Sequence, residues 1–212
     1  DGGSTWRDTT GITGRIRRLI ALRNAEETVF ALTDSPNQWA CGSGVVTSTK
    51  LLRSQDRGAT FQMVRDLGTS RADIWTSRVA LGPLYVLTDN RLEISTDLGD
   101  TWSTVGTLPW TGPSRVALTA SEAAGPTFYA VIDQNDCSGG RRLFRSNGGV
   151  TWTEVGPVSD FWGDMVSLSA STRNPDLLLY GGVEAWRSTD GGTTFNRVND
   201  WWDYYGNRAE KQ

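Results

Sequence analysis

The sequence predicts an all-β chain of short antiparallel strands, built from repeated four-stranded units. Three observations carry this. A phrase of the form Ser-x-Asp-x-Gly-x-Thr-aromatic recurs along the chain. The residues between its copies form β-prone runs parted by turn residues. No window sustains the helical apolar period. The complete copies are SQDRGATF at 54–61, STDLGDTW at 95–102 and STDGGTTF at 188–195. A fourth, SNGGVTW at 146–152, is one residue short, with Asn147 as its only candidate for the acidic place. A fifth opens the chain half formed, as DGGSTW at 1–6.

Between the motif threonines, Thr5, Thr60, Thr101, Thr151 and Thr194, the steps are 55, 41, 50 and 43 residues. A strand-filled repeat of this length marks a propeller blade rather than a helical solenoid. Blades are expected at about 12–65, 73–106, 113–156 and 163–199, with 200–212 beginning a further inter-blade connection. In the second step the strands read Arg78-Val79-Ala80-Leu81, Leu84-Tyr85-Val86-Leu87, Leu92-Glu93-Ile94-Ser95 and Thr101-Trp102-Ser103-Thr104-Val105. The fourth repeats them as Met165-Val166-Ser167-Leu168, Leu177-Leu178-Leu179-Tyr180, Ala185-Trp186-Arg187-Ser188 and Thr194-Phe195-Asn196-Arg197-Val198.

The motif reads as the hairpin turn between the third and fourth strands. An Asp side chain accepts hydrogen bonds from nearby main-chain N–H groups, and Gly supplies a conformation closed to other residues. The aromatic leaves the turn ready to pack between sheets. Asp1, Asp56, Asp97, Asn147 and Asp190 are therefore given structural rather than catalytic roles.

In these residues the motif resembles the Asp-box, or bacterial neuraminidase repeat, of sialidases, xyloglucanases, sortilin-type receptors, photosystem assembly factors and secreted bacterial propellers. The blade holding Phe161-Trp162-Gly163-Asp164-Met165-Val166, Asn174-Pro175-Asp176 and Tyr180-Gly181-Gly182 is similar to the last group. The resemblance implies boxes at the periphery, away from the ligand, and a secreted or cell-surface protein. The Arg-Ile-Pro signature of the sialidase site is missing; Gly14-Arg15-Ile16-Arg17 only approaches it.

With 212 residues, a formal charge of −3 and a pI near 5.0, the chain is no generic binder of nucleic acid or anionic membrane. No apolar run is long enough for a membrane span. There is no His, which excludes His-dependent triads and His-ligated metals; no metal and no cofactor are expected. Cys41 and Cys137 sit in the loops that lengthen the first and third repeats, and their pairing is left open. Because the chain opens inside a motif, it is expected to be one partial propeller domain, partnered by the rest of a larger one.

Strand order puts the inter-blade connections and the second-to-third loops on the face opposite the motif turns. There the sequence places Trp75, Trp110, Trp162, Trp201 and Trp202, beside the acids Asp73, Asp160, Asp164, Asp200 and Asp203. Aromatic faces near carboxylates suit sugar rings, and the same aromatics suit packing between blades. Arg78 and Arg115 are read as openers of innermost strands, with Arg15 close by; converging guanidinium groups bind carboxylates. The expected function is a binding or scaffold module, for carbohydrate before others. The alternatives are part of a glycoside hydrolase, with Asp164 as catalytic candidate, and a peptide- or protein-binding propeller. Catalysis in this segment is not expected.

Overall fold

The computed structural model describes residues 3–22, 25, 27–35, 48–78, 82–111, 115–133, 141–158, 167–181 and 184–199. All regular structure among them is β, and no helix is long and apolar enough to cross a membrane. The fold is a β-propeller of four blades, each an antiparallel sheet whose strands neighbour one another in chain order. Blade 1 holds β1 (Arg15–Ala21), β2 (Val29–Asp34), β3 (Thr49–Ser54) and β4 (Gln62–Asp66). Blade 2 holds β5 (Ala72–Thr76), β6 (Leu84–Thr88), β7 (Arg91–Ser95) and β8 (Ser103–Thr107). Blade 3 holds β9 (Arg115–Ser121), β10 (Thr127–Asp133), β11 (Arg141–Asn147) and β12 (Thr153–Pro157). Blade 4 holds β13 (Ser167–Ala170), β14 (Leu178–Gly181), β15 (Ala185–Ser188) and β16 (Asn196–Arg197). The chain divides into two compact units, Asp1–Val105 and Gly106–Gln212.

Burial follows strand position. The second strands β2 and β6 are buried almost throughout, whereas the fourth strands β4 and β8 are exposed or half-buried. A second strand covered on both faces must be apolar on both, which explains the unbroken Leu84-Tyr85-Val86-Leu87. In the first unit Phe30, Leu32 and Leu51 pack against Ile74, Leu84 and Val86. In the second unit Ala117, Tyr129, Val131 and Leu143 pack against Leu168, Leu178 and Tyr180.

One expected strand is displaced. Blade 2 begins with Ala72–Thr76, which pairs with Leu84–Thr88, and Arg78 lies in the connection after it. Locally Val79-Ala80-Leu81 reads as well for a strand as Ala72-Asp73-Ile74-Trp75-Thr76 does. The long-range ladder to β6 decides between them, and Pro83 has no N–H with which to extend it.

The segment before β1 covers the other face of blade 1. Thr10 forms a parallel bridge with Thr60, its N–H reaching the Ala59 carbonyl and its carbonyl taking the Phe61 N–H. Ile12 then packs on Ala31, Leu52 and Phe61. Gly11 is required there: a Cβ would stand 2.1 Å from the Phe61 carbonyl oxygen. In blade 4 the same joint recurs between Gly156 of β12 and the turn at Gly192, whose carbonyl oxygen would lie 3.0 Å from such a Cβ.

Candidate functional site

The three complete motifs fold into one hydrogen-bonded turn. In blade 1 the Thr60 N–H and hydroxyl donate to the two oxygens of Asp56, at 2.8 and 2.7 Å. The Ser54 hydroxyl also donates to Asp56, at 2.7 Å, and accepts the Gly58 N–H at 2.8 Å. Ser95, Asp97, Gly99 and Thr101 repeat this in blade 2, as do Ser188, Asp190, Gly192 and Thr194 in blade 4. Donors converging on the charged form hold all three carboxyls at about 2, below their ordinary 3.8. For Asp56 the Thr60 N–H is the largest cause; for Asp97 and Asp190 it is the hydroxyl of Thr101 and Thr194. A carboxylate so firmly ionised is a poor proton donor near neutral pH.

The short copy closes differently. The Ser146 hydroxyl donates to the Thr151 carbonyl at 2.5 Å, and Asn147 accepts from Thr127 on β10 at 3.3 Å. Where the aromatic is Trp, its indole N–H ties back to the turn: Trp102 to the Gly99 carbonyl at 3.0 Å and Trp152 to Gly149 at 2.9 Å. Beside the short turn an open depression of about 410 Å³ is lined by Arg145, Ser146, Asn147, Thr151, Thr153 and Val155, with no carboxylate in it.

The charged surface with chemical potential lies on β1. Arg15 grips Asp34 through Nε and Nη2, both at 3.1 Å, in the bidentate geometry that suits guanidinium and carboxylate. Arg17 reaches the same carboxylate at 3.4 Å. Arg18 donates Nε to Asp73 at 3.0 Å and to the Ile74 carbonyl at 3.2 Å. A β-bulge makes this possible: Ile16 faces Thr33 and Arg18 faces Leu32, so Arg17 is the extra residue. Without it Arg18 would fall out of the register that takes it toward β5. Asp34 and Asp73 are buried, while the three arginine side chains remain 45, 37 and 34% exposed.

The residue that corresponds to Arg15 in blade 2 is Arg71, not Arg78. Arg15 stands opposite Asp34 at the end of β2, and Arg115 opposite Asp133 at the end of β10. Asp89 closes the same relation, its N–H on the Arg71 carbonyl at 2.9 Å and its carboxylate on the Arg71 N–H at 3.2 Å. An Arg at or just before the start of the first strand and an Asp at or just after the end of the second is the signal that sequence reasoning passed over. Arg17 and Arg18 were missed because a bulge cannot be read from alternation.

The other expected site residues divide in three. Trp75 is buried on β5, its ring 5.5 Å from that of Tyr85. Trp110 is half-buried under the Arg142 guanidinium, 5.5 Å from the ring centre. Arg78 is exposed. Asp1, Cys41, Cys137, Asp164, Trp162, Trp201, Trp202 and the Arg115 side chain lie outside the described residues. Among those described, no three His, Cys, Asp or Glu side chains come together as metal ligands would.

No protein-family model matches the chain, and no curated protein matches it in sequence. Solved structures do match in fold. YCF48 bound to a D1 peptide is 16% identical with a TM-score of 0.52, over 93% of this chain and 59% of that one. YCF48 from Cyanidioschyzon merolae gives 16% and 0.52, over 93 and 61%. A protein of unknown function from Dyadobacter fermentans gives 18% and 0.54, over 85 and 63%. The chain is thus similar to known β-propellers and spans 59 to 63% of their length.

Proposed function

We propose that this chain is a binding module of the Asp-box propeller type, and that it holds a protein or peptide through ligand carboxylates at Arg15, Arg17 and Arg18. One observation carries the reading: three guanidinium groups on one strand share two buried carboxylates and stay partly open to solvent. Each guanidinium presents its donors in a fixed planar fork that matches a carboxylate, and all three side chains stay partly open to solvent. Three arginines within four residues of one strand stand out on a chain whose net charge is −3. The solved YCF48 bound to a D1 peptide lends support, since that propeller of similar fold takes a peptide.

A carbohydrate ligand is the second reading, and the many tryptophans favour it. Of its described candidates, Trp75 is buried and Trp110 lies under Arg142, so it depends on Trp162, Trp201 and Trp202. A hydrolase reading depends on Asp164 and an unidentified partner acid, because Asp73 is engaged by Arg18. A secreted or cell-surface location fits either ligand.

Fluorescence anisotropy of the whole chain with labelled acidic peptides tests the first reading. Binding is expected to weaken with salt, and Arg17→Gln to weaken it about tenfold while circular dichroism shows the β fold retained. Glycan-array binding that Arg17→Gln leaves unchanged, with no affinity for acidic peptides, would transfer the function to the carbohydrate reading.

A further inference from the structure

Around the short turn of blade 3, two carboxylates found elsewhere in the repeat are replaced by neutral residues. The first is the motif acid. In blades 1, 2 and 4 the motif threonine donates its hydroxyl to an Asp, from Thr60 to Asp56 at 2.7 Å, from Thr101 to Asp97 at 2.5 Å and from Thr194 to Asp190 at 2.6 Å. In blade 3 the acidic place is Asn147, whose side-chain oxygen accepts from Thr127 instead. Among the described residues the Thr151 hydroxyl makes no hydrogen bond.

The second is the acid that receives the arginine just before the motif serine. In blade 1 that arginine is Arg53, which donates Nη1 to the Leu98 carbonyl and to Asp100, both at 2.8 Å, in the turn of blade 2. In blade 3 it is Arg145, whose Nη1 lies against the turn of blade 4, 2.5 Å from where a Cβ on Gly191 would stand. There Gly191 takes the place of Leu98, and Thr193 that of Asp100. Arg145 is left with Asp176 at 3.4 Å, and its side chain is 31% exposed against 17% for Arg53. The Tyr129 ring, with its centre 5.7 Å away, supports the guanidinium from one side.

Arg145 and Thr151 line the same hollow, the depression of about 410 Å³ beside the short turn. Its wall combines this one cation with neutral hydrogen-bonding groups. Thr153 adds a second hydroxyl with no hydrogen bond among the described residues, and Asn147 adds the NH2 of its amide. Val155 supplies an apolar surface. All the lining residues belong to blade 3, inside the unit Gly106–Gln212.

We infer that this hollow binds a small carboxylate rich in hydroxyl groups, of the class of the sugar acids. The ligand carboxylate meets Arg145 and the Thr151 hydroxyl, supplying the anion that Asp56, Asp97 and Asp190 supply in their own turns. Its hydroxyls meet Thr153 and Asn147, whose side chains both donate and accept. A guanidinium already supported by a ring, and still partly exposed, needs little reordering to take a carboxylate. The site is separate from the arginines of β1 and does not depend on them.

Isothermal titration calorimetry of the whole chain with sodium glucuronate tests this, with sodium acetate and glucose as comparison ligands. Saturable binding of glucuronate is expected, about tenfold tighter than that of either comparison ligand. Thr151→Val removes an exposed hydroxyl that the described fold does not use, and should weaken binding about tenfold. Thr153 stands directly across from Arg145 in the ladder between β11 and β12, so Thr153→Asp places a carboxylate beside the cation and should abolish binding. Circular dichroism of each variant checks that the β fold is retained; where Thr153→Asp fails that check, Thr151→Val decides. Arg17→Gln should leave the affinity unchanged. Absence of saturable glucuronate binding overturns the inference, as does acetate or glucose binding equally tightly. So does binding that survives the substitutions at Thr151 and Thr153 in folded chains, or that is lost with Arg17→Gln, which would place the ligand on β1.

Discussion

Asp97 takes both donors of a single residue, the N–H of Thr101 at 2.8 Å and its hydroxyl at 2.5 Å, and so spans the turn of blade 2 from end to end. Asp56 with Thr60 and Asp190 with Thr194 do the same in their own blades. Three equivalent carboxylates held at about 2 make acid stability a property of the repeat.

Because these folded-state values lie below the ordinary 3.8, the carboxylates' contribution is complete above that pH and is lost as pH falls toward about 2. The urea midpoint should therefore drop through that window. Replacing Asp56, Asp97 and Asp190 together by Asn should lower the midpoint at neutral pH and flatten its dependence between the two values. An equally steep fall in the triple variant would assign acid sensitivity to other groups.

The motif glycines separate backbone strain from packing. Gly58 has φ +88° with only the Phe61 ring edge, at an ordinary 4.0 Å, near its Cβ position, so Gly58→Ala should cost about 1 kcal/mol in chemical denaturation. Gly192 has φ +91°, and a Cβ there would stand 2.4 Å from Leu143 Cδ2, so Gly192→Ala should cost about 2–4 kcal/mol. Equal losses at the two sites would mean that Leu143 moves aside freely.

Arg18 and Asp73 should behave as one unit. Arg18→Gln leaves the buried Asp73 with a weaker partner and is expected to cost about 1–3 kcal/mol. Asp73→Asn in that background should recover part of the loss, because a neutral amide is cheaper to bury than an unmatched carboxylate. Additive losses in the double-mutant cycle would show that the two residues are not coupled.

The indole ties distinguish the Trp turns from the Phe turns. Trp152→Phe removes the bond to the Gly149 carbonyl from a buried ring, and should cost more than Trp102→Phe, whose ring is only half-buried. The bond itself accounts for about 1 kcal/mol. Neither variant should change the fold, since Phe61 and Phe195 already occupy this position in blades 1 and 4. Circular dichroism with thermal melts would check both statements.

The four-bladed architecture was legible because Ser, Asp, Gly, Thr and the aromatic each have a local task, and local tasks leave fixed spacings in a sequence. Strand identity was less so where neighbouring runs share the same local pattern. Ala72–Thr76 displaced the expected run at 78–81 through pairing with Leu84–Thr88, which is information from elsewhere in the chain. The candidate site was harder still. Arg15 could be marked from sequence, but Arg17 and Arg18 join it through a bulge and two carboxylates 17 and 55 residues farther along, Asp34 and Asp73. Pairings of that kind leave no period to read.

Gly11 against Phe61 and Gly156 against Gly192 place main chain directly on main chain, with no side chain between. A joint made this way has one length, whatever the sequence around it becomes. Insertions can therefore accumulate elsewhere in a repeat, which is how steps of 55 and 41 residues coexist in one chain. Evolution is free to vary the loops of this protein because its hinge pins are backbone.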